Sequence, residues 1–351
     1  MIKTKGRLVS ESFPLNSEIK EEAQKFVRLV KSAKKILISS TLTSDGDSVG
    51  SQTALAYLIE KLRDRKNADD VWIVNESPVP ERYSFLQGSD RILSTKDWRA
   101  LKDPKPNFDL GIVCDGGIER TGDIQELFSS IPKTILVDHH AVGSKLHYEA
   151  RILDLESSST CELVYHLFEA AGVEVPAAVA EALFVGIVFD TGFFKHSLTK
   201  PRTHYVAAHL ISTGIDFSKI SDRAILERSW EAQLLLKSLL DHMERRANGK
   251  IIVSYWKSED LQRIGPKDGD QEGMINQLYY TEGAEVVALF SEKDTNEVKI
   301  SFRSKGKVNV AEFARTLNPG GGGHVRAAGC TLQGRLSDVR ERVLKQLEEL
   351  L

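Results

Sequence analysis

Cysteine is scarce in this sequence: three among 351 residues, Cys114, Cys161 and Cys330, with no CxxC pair. That excludes a zinc ribbon and a disulfide framework, and it fits a reducing, cytoplasmic setting. Long apolar runs are missing too. The best, Ala182 to Phe189, is far too short to span a bilayer, and no apolar stretch follows the basic start Met1 to Arg7. Neither an export signal nor a membrane span is expected. Charge of one sign is not in excess: 47 Lys plus Arg stand against 50 Asp plus Glu, a net charge of −3. No global basic field is available to hold long duplex nucleic acid, so any nucleic-acid contact must be local. What remains, with 41% hydrophobic and 28% charged residues, is the composition of an ordinary globular protein whose length predicts two domains.

The apolar pattern has the grammar of an α/β fold. Residues 16–34 place Ile19, Ala23, Phe26, Val27 and Val30 on one helical face, with Asn16 or Ser17 as cap. Short apolar strands follow at 35–40, 71–75, 110–114 and 134–137, alternating with helical stretches such as 49–65, and predict a parallel sheet covered on both faces. Helices are expected at 159–171, 177–189 and 201–212. A charged, leucine-bearing helical pattern from 222 to 246 contains no Pro or Gly and reads as a connector. Beyond it, strands at 250–255, 284–290, 297–302 and 327–332, with helices near 310–317 and from 336, suggest a smaller α+β domain. The expected division is an N-terminal extension (1–15), an α/β domain (16–221), a helical linker (222–248) and a second domain (249–351).

Three of the expected strands lead into acids: the first to Asp45 and Asp47, the third to Asp115, the fourth to Asp138-His139-His140. In an open α/β sheet the ligand crevice lies beyond the carboxyl ends of the strands, so these groups converge there. Asp45-Gly46-Asp47 alone has the composition of a surface turn, and it is not an EF-hand, because position 12 of a loop starting at Asp45 is Ala56. Taken together, the acids can hold two divalent ions roughly 3.5–4 Å apart that activate water and stabilise charge on a phosphoryl group. Oxygen-rich ligation with one imidazole favours manganese or magnesium over structural zinc. Near the C-terminus four glycines, Gly320 to Gly323, precede His324, and their backbone N–H groups can form an anion nest to which Arg303 adds a bidentate contact.

These motifs resemble a known family. Ser44-Asp45-Gly46-Asp47-Ser48-Val49-Gly50-Ser51, Asp115, Asp138-His139-His140 and Asp190-Thr191-Gly192 follow in order the four motifs of the DHH phosphoesterases. Arg120 and Ser158-Ser159-Thr160 are similar to that family's flanking positions. Gly320 to Gly329 and Ser301-Phe302-Arg303-Ser304 resemble its DHH-associated domain. The resemblance runs from about residue 16 and is strongest to the bacterial oligoribonuclease (nanoRNase) and pAp phosphatase branch. It implies a doubly wound parallel-sheet DHH domain, joined by a helical linker to a smaller α+β substrate-binding domain.

The resemblance also implies roles. Asp45 would bind a first metal, Asp47, His139 and Asp190 a second, and Asp115 would bridge both, with His140 facing the phosphate. Arg120, Arg303, Gly321, Gly322, Gly323 and His324 would bind substrate. The cofactor implied is Mn2+, two ions, with Mg2+ as the alternative. One departure stands out: the family has a metal-binding histidine four residues before Asp45, where this chain has Thr41. A hydroxyl is a much poorer ligand than imidazole for a transition metal, which makes the first site weaker or rearranged, with His196 and His204 as substitutes the sequence cannot place. The expected function is metal-dependent hydrolysis of very short oligoribonucleotides, linear dinucleotides and pAp. The alternative is a nucleotide-binding regulator in which Thr41 marks lost catalysis. Partners expected are short RNA or nucleotide, no long duplex and no membrane, and a homodimer is compatible.

Overall fold

The computed structural model describes residues 16–63, 70–102, 104–141, 147–267, 269–271, 273–293 and 296–351. The N-terminal extension expected over 1–15 lies outside them. The chain divides into two compact units, Met1–Glu227 and Arg228–Leu351.

The first unit is built on six parallel strands: β1 (Ile36–Ser39), β2 (Val71–Asn75), β3 (Ile92–Ser94), β4 (Leu110–Cys114), β5 (Thr134–Asp138) and β6 (Ala150–Leu153). Their spatial order is β3-β2-β1-β4-β5-β6, the doubly wound arrangement the sequence predicts. Strand alternation sends Ile36 and Ile38 into one apolar core and Leu37 into the other, so the central strand is buried on both faces. On one face lie α1 (Ser17–Ser32), α2 (Gly46–Arg63), α5 (Thr160–Ala171) and α6 (Ala177–Asp190). The short α3 (Thr95–Ala100) and α4 (Gln125–Ser129) help cover the other, and α7 (Pro201–Ser212) and α8 (Phe217–Ser221) complete the unit. Helix α1 starts where Asn16 Oδ1 accepts from Ile19 N at 2.8 Å, and it buries Ile19, Ala23, Phe26 and Val30, the expected face. Helix α6 is apolar almost all round, because α2, α5 and α7 pack against it.

Two glycines allow these helices to meet. A Cβ on Gly50 of α2 would lie 2.3 Å from the carbonyl oxygen of Ala182 in α6. A Cβ on Gly186 of α6 would lie 2.3 Å from Cys161 Sγ and 2.6 Å from Asp47 Oδ1. Only a residue without a side chain fits at either crossing.

The second unit has a mixed six-stranded sheet ordered β11-β12-β10-β9-β8-β7, from β7 (Glu244–Arg246), β8 (Ile251–Trp256), β9 (Val286–Lys293), β10 (Glu297–Ser304), β11 (Gly322–His324) and β12 (Ala327–Gln333). Helices α9 (Trp230–Asp241), α10 (Ser258–Ile264) and α11 (Ile275–Tyr279) pack on one face, α12 (Val310–Leu317) and α13 (Leu336–Glu348) on the other, as an α+β fold requires. The stretch 222–248, expected as one connecting helix, is divided: a π turn over Asp222–Leu226, a break, α9, then β7. Ser229 supplies the reason, since its side chain accepts from Ala232 N and caps a new helix whose Ala232, Leu235 and Leu239 are buried in the second unit. Among the described residues no helix is long and apolar enough to cross a membrane.

Candidate active site

The strand order reverses between β1 and β4, and the crevice beyond their carboxyl ends is where such sheets bind ligands. Three chain segments arrive there. The loop after β1 carries Thr41 to Asp45, β4 delivers Asp115, and β5 ends at Asp138 just before His139 and His140. Asp190, the last residue of α6, supplies a fourth acid.

Three of the acids, Asp45, Asp47 and Asp115, are fixed by hydrogen bonds that their local fold provides. Asp45 Oδ1 accepts from the backbone N–H groups of Asp47 and Ser48, both at 3.0 Å, and so caps α2. Asp47, fully buried in the first turn of α2, caps a different helix: its Oδ2 accepts from Thr160 N at 2.7 Å and its Oδ1 from Cys161 N at 2.8 Å, at the start of α5. At Asp115 the β4–β5 ladder continues through Asp115 N to Val137 O at 3.1 Å, and the backbone then turns with φ 58° at Asp115 and 136° at Gly116. Aspartate is among the few side chains that visit this left-handed region. Ser48 Oγ donates to its Oδ2.

The histidines are oriented from behind. His139 Nδ1 lies 3.2 Å from the carbonyl oxygen of Ser157, which can only accept, so Nδ1 carries the proton and the Nε2 lone pair faces the acids. His140 Nδ1 lies 2.9 Å from Asp138 Oδ1, which also accepts from His140 N at 3.0 Å. The two rings stand 4.2 Å apart.

Electrostatics then create a demand for positive charge. Burial lifts the carboxyls of Asp45, Asp115 and Asp190 above the ordinary range. The charges of Asp45, Asp47 and Asp190 push Asp115 up further, and those of Asp47 and Asp45 do the same to Asp190. Among the described residues the basic side chains within 4 Å of the carboxylates of Asp47, Asp115 and Asp190 are all histidines. Two buried acceptors, His139 Nε2 and Asp190 Oδ2, lie 3.0 Å apart without hydrogen-bond partners. Lone pairs at that distance call for a proton or a metal cation between them. Two groups have ligand atoms mutually within 4.8 Å, Asp47–His139–Asp190 and Asp115–His139–His140. A donor set of carboxylates with imidazole fits Mn2+ or Mg2+.

The expected residues of the first unit thus come together at one place, with distinctions. Asp45 belongs to neither ligand group, although its charge acts on Asp115 and Asp190. Thr41 is buried beside the turn after Asp115: its methyl lies 2.6 Å from where a Gly116 Cβ would be, and its hydroxyl donates to Thr43 O at 3.2 Å. His196 Nδ1 approaches the carbonyl oxygen of Asp190 at 2.9 Å and His204 stacks on Phe194, but neither is in a ligand group among the described residues. Arg120 is exposed, and its backbone carbonyl accepts from Leu42 N.

In the second unit, Arg303 and His324 both sit opposite Ala327, on β10 and β11, which puts them on one face in one row with a methyl group between. Arg303 is half-buried, and loss of solvation lowers its pKa. The glycine run differs from the expected open nest. Gly322–His324 is a strand paired to β12, a Cβ on Gly321 would meet Ala314 O at 2.5 Å, and Gly323, at φ 137°, would meet Ala327 O at 2.4 Å. Sequence reasoning gave no role to Ser48, named only within a motif, nor to the backbone groups of Ser157, Thr160 and Cys161. The last three act through main-chain atoms and leave no side-chain signature.

A doubly wound sheet with acids and histidines at its switch point, followed by a separate α+β unit, defines a two-domain α/β protein with a candidate metal site. Comparison with known proteins specifies it. Residues 35–187 match the DHH family, N-terminal domain, and residues 248–351 match the DHHA1 domain. The chain is 28% identical over 321 residues to the bifunctional oligoribonuclease and PAP phosphatase NrnA of Thermus thermophilus, covering 90% of each chain. It is 26% identical to the NrnA protein of Bacillus subtilis, covering 92% of this chain and 97% of that one. An exopolyphosphatase-related protein from Bacteroides fragilis shares the fold with a TM-score of 0.85 at 24% identity, covering 94% and 97% of the two chains. The chain thus carries a DHH family N-terminal domain followed by a DHHA1 domain.

Proposed function

We propose that this protein hydrolyses very short oligoribonucleotides, linear dinucleotides and pAp, using divalent cations held by Asp45, Asp47, Asp115, His139 and Asp190. The pair His139 Nε2 and Asp190 Oδ2, two buried acceptors 3.0 Å apart, carries the metal reading. The substrate class comes from the relatives named as oligoribonuclease and PAP phosphatase, and the choice of manganese is supported by the related fold of the exonuclease RecJ solved with manganese, TM-score 0.55 at 15% identity over 95% of this chain and 94% of that one. When bound, such cations polarise the phosphoryl group and make water a nucleophile at neutral pH.

The chain's own groups do the rest. Asp47 is immobilised by two N–H groups of α5, and His139 by the Ser157 carbonyl, so neither has to reorganise during the reaction. His140, half-buried and oriented by Asp138, is the group we assign to the phosphate. Arg303 and His324 are assigned to binding the anionic substrate, with Arg120 as a further phosphate contact. Short RNA suits a net charge of −3 better than long duplex does. The regulator reading has no support in the named relatives or in the intact acid cluster.

The test is a turnover screen across pAp, dinucleotides and a short RNA, with Mn2+ and with chelator. Manganese-dependent hydrolysis of at least one of them is expected. Binding of all of them without hydrolysis at any metal concentration would overturn the proposal in favour of a regulator.

A further inference from the structure

We propose that Arg202 is a positioning residue for the metal site, acting on two ligands at once through the loop 154–160. The inference rests on the metal-dependent reading above and extends it to a residue that touches no ligand.

The loop joining β6 to α5 supplies the backbone contacts described for Asp47 and His139. Ser157 gives its carbonyl oxygen to His139 Nδ1, while Thr160 and Cys161, just inside α5, give their N–H groups to the two oxygens of Asp47. Because these are main-chain atoms, the ligands are only as well placed as the loop itself. The loop is tied at both ends to one guanidinium. Arg202, in the first turn of α7, donates from Nε to Glu162 Oε1 at 2.6 Å and from Nη2 to Asp154 Oδ2 at 2.8 Å.

Both acids pass that anchoring into the loop. Asp154 Oδ1 accepts from Glu156 N at 3.0 Å, its carbonyl oxygen accepts from Ser157 N at 3.1 Å, and its own N–H donates to Asp138 O, next to His139. Glu162 Oε2 accepts from Ser158 Oγ at 2.6 Å, and its N–H donates to Ser159 Oγ. Glu162 is completely buried, so the charge it carries is balanced by Arg202 and not by water. The geometry also explains the residue type. Two nitrogens of one rigid fork reach two different carboxylates, which a single lysine ammonium cannot reproduce in the same arrangement.

A purely structural ion-pair network would lower stability when broken and leave metal affinity alone. A positioning role predicts the opposite emphasis. Outer-shell partners of metal ligands typically contribute ~10–100-fold to metal affinity. The experiment titrates Mn2+ calorimetrically into the chelator-treated full-length protein: parent, Arg202→Lys, and the double variant Arg202→Gln/Glu162→Gln, which removes the fully buried Glu162 charge together with its partner. Melting curves report whether each is folded. Arg91→Gln, which breaks an ion pair with Glu60 elsewhere in the unit, is the control.

Mn2+ affinity is expected to fall roughly 10–100-fold in both Arg202 variants and to stay at the parent value in Arg91→Gln. At saturating Mn2+ the KM for a short RNA should remain near that of the parent. Folded Arg202 variants with parent-like Mn2+ affinity would overturn the positioning role and leave the metal site standing. A parent that binds no Mn2+ would overturn both readings together.

Discussion

Gly186→Ala separates two physical expectations of opposite sign. Gly186 lies in the interior of α6, where replacing glycine by alanine stabilises an exposed helix by about 1 kcal/mol. Packing predicts the reverse. The added methyl would sit 2.3 Å from Cys161 Sγ and 2.6 Å from Asp47 Oδ1, where ordinary contact begins near ~3.5 Å, so α6 or the Asp47 carboxylate must move by about 1 Å. Inserting a methyl group into a close-packed core costs ~1–3 kcal/mol, and contact with two neighbours places this case near the upper end. After the helix gain about 2 kcal/mol of destabilisation remains, a fall in melting temperature of roughly 4–8 °C for a unit of this size. The carboxylate that must yield is a proposed metal ligand held by two N–H groups, and a misplacement of ~1 Å costs about 100-fold in rate. Melting curves of the metal-free protein and initial rates on a short RNA with Mn2+ read both effects. A variant that melts higher than the parent and keeps its rate would refute the packing of α6 on Asp47.

Asp115→Asn keeps a side chain that tolerates φ 58° and still accepts from Ser48, but removes one charge from the acid cluster. It should raise the melting temperature of the metal-free protein and cut turnover by more than the ~10–100-fold of an outer-shell change; lower stability would contradict the repulsion argument. The pH dependence has a definite sign. Because Asp45, Asp115 and Asp190 are raised above 3.8, the metal-free folded state holds more protons than the unfolded one from that value up to the raised ones, so stability falls as pH rises through this window. Mn2+ takes the place of those protons, so its shift of the melting temperature should grow as pH rises through the same window, and a constant or shrinking shift would count against the cluster. Arg303→Ala should raise the KM for short RNA by ~10–100-fold, the loss of one charge-assisted hydrogen bond, with little change in kcat. Thr41→His should tighten Mn2+ binding by calorimetry, since imidazole is a much better ligand than a hydroxyl; unchanged affinity would mean that another residue completes that site.

Much of this architecture is legible in the sequence for one reason: strands buried on both faces are continuous apolar runs. β1, β2, β4 and β5 are of that kind, and their alternation with helices indicates a parallel sheet covered on both faces. β3 and β7 have three residues each, too few for any period to register, and β6 alternates through an exposed Arg151. The glycine strand β11 has no side chains to pattern before His324 and reads as a loop. In the site, acids and histidines are visible as side-chain chemistry at strand ends. What immobilises them is not, because the Ser157 carbonyl and the Thr160 and Cys161 N–H groups belong to any sequence, and Arg202 lies 48 residues from the Asp154 it anchors. Reading 222–248 as one helix fails for a local cause, the Ser229 cap.

The central claim, that this acid cluster is a metal-dependent phosphoesterase site for short nucleotides, is tested most directly by one rate measurement. Chelator-treated protein is assayed on pAp and on a short RNA while Mn2+ is restored stepwise, beside Asp115→Ala prepared in the same way. The account predicts no turnover in chelator, a rate that rises and saturates with Mn2+ in the parent, and none at any Mn2+ concentration in Asp115→Ala. Full turnover in chelator, or parent-like rates from Asp115→Ala, would contradict it.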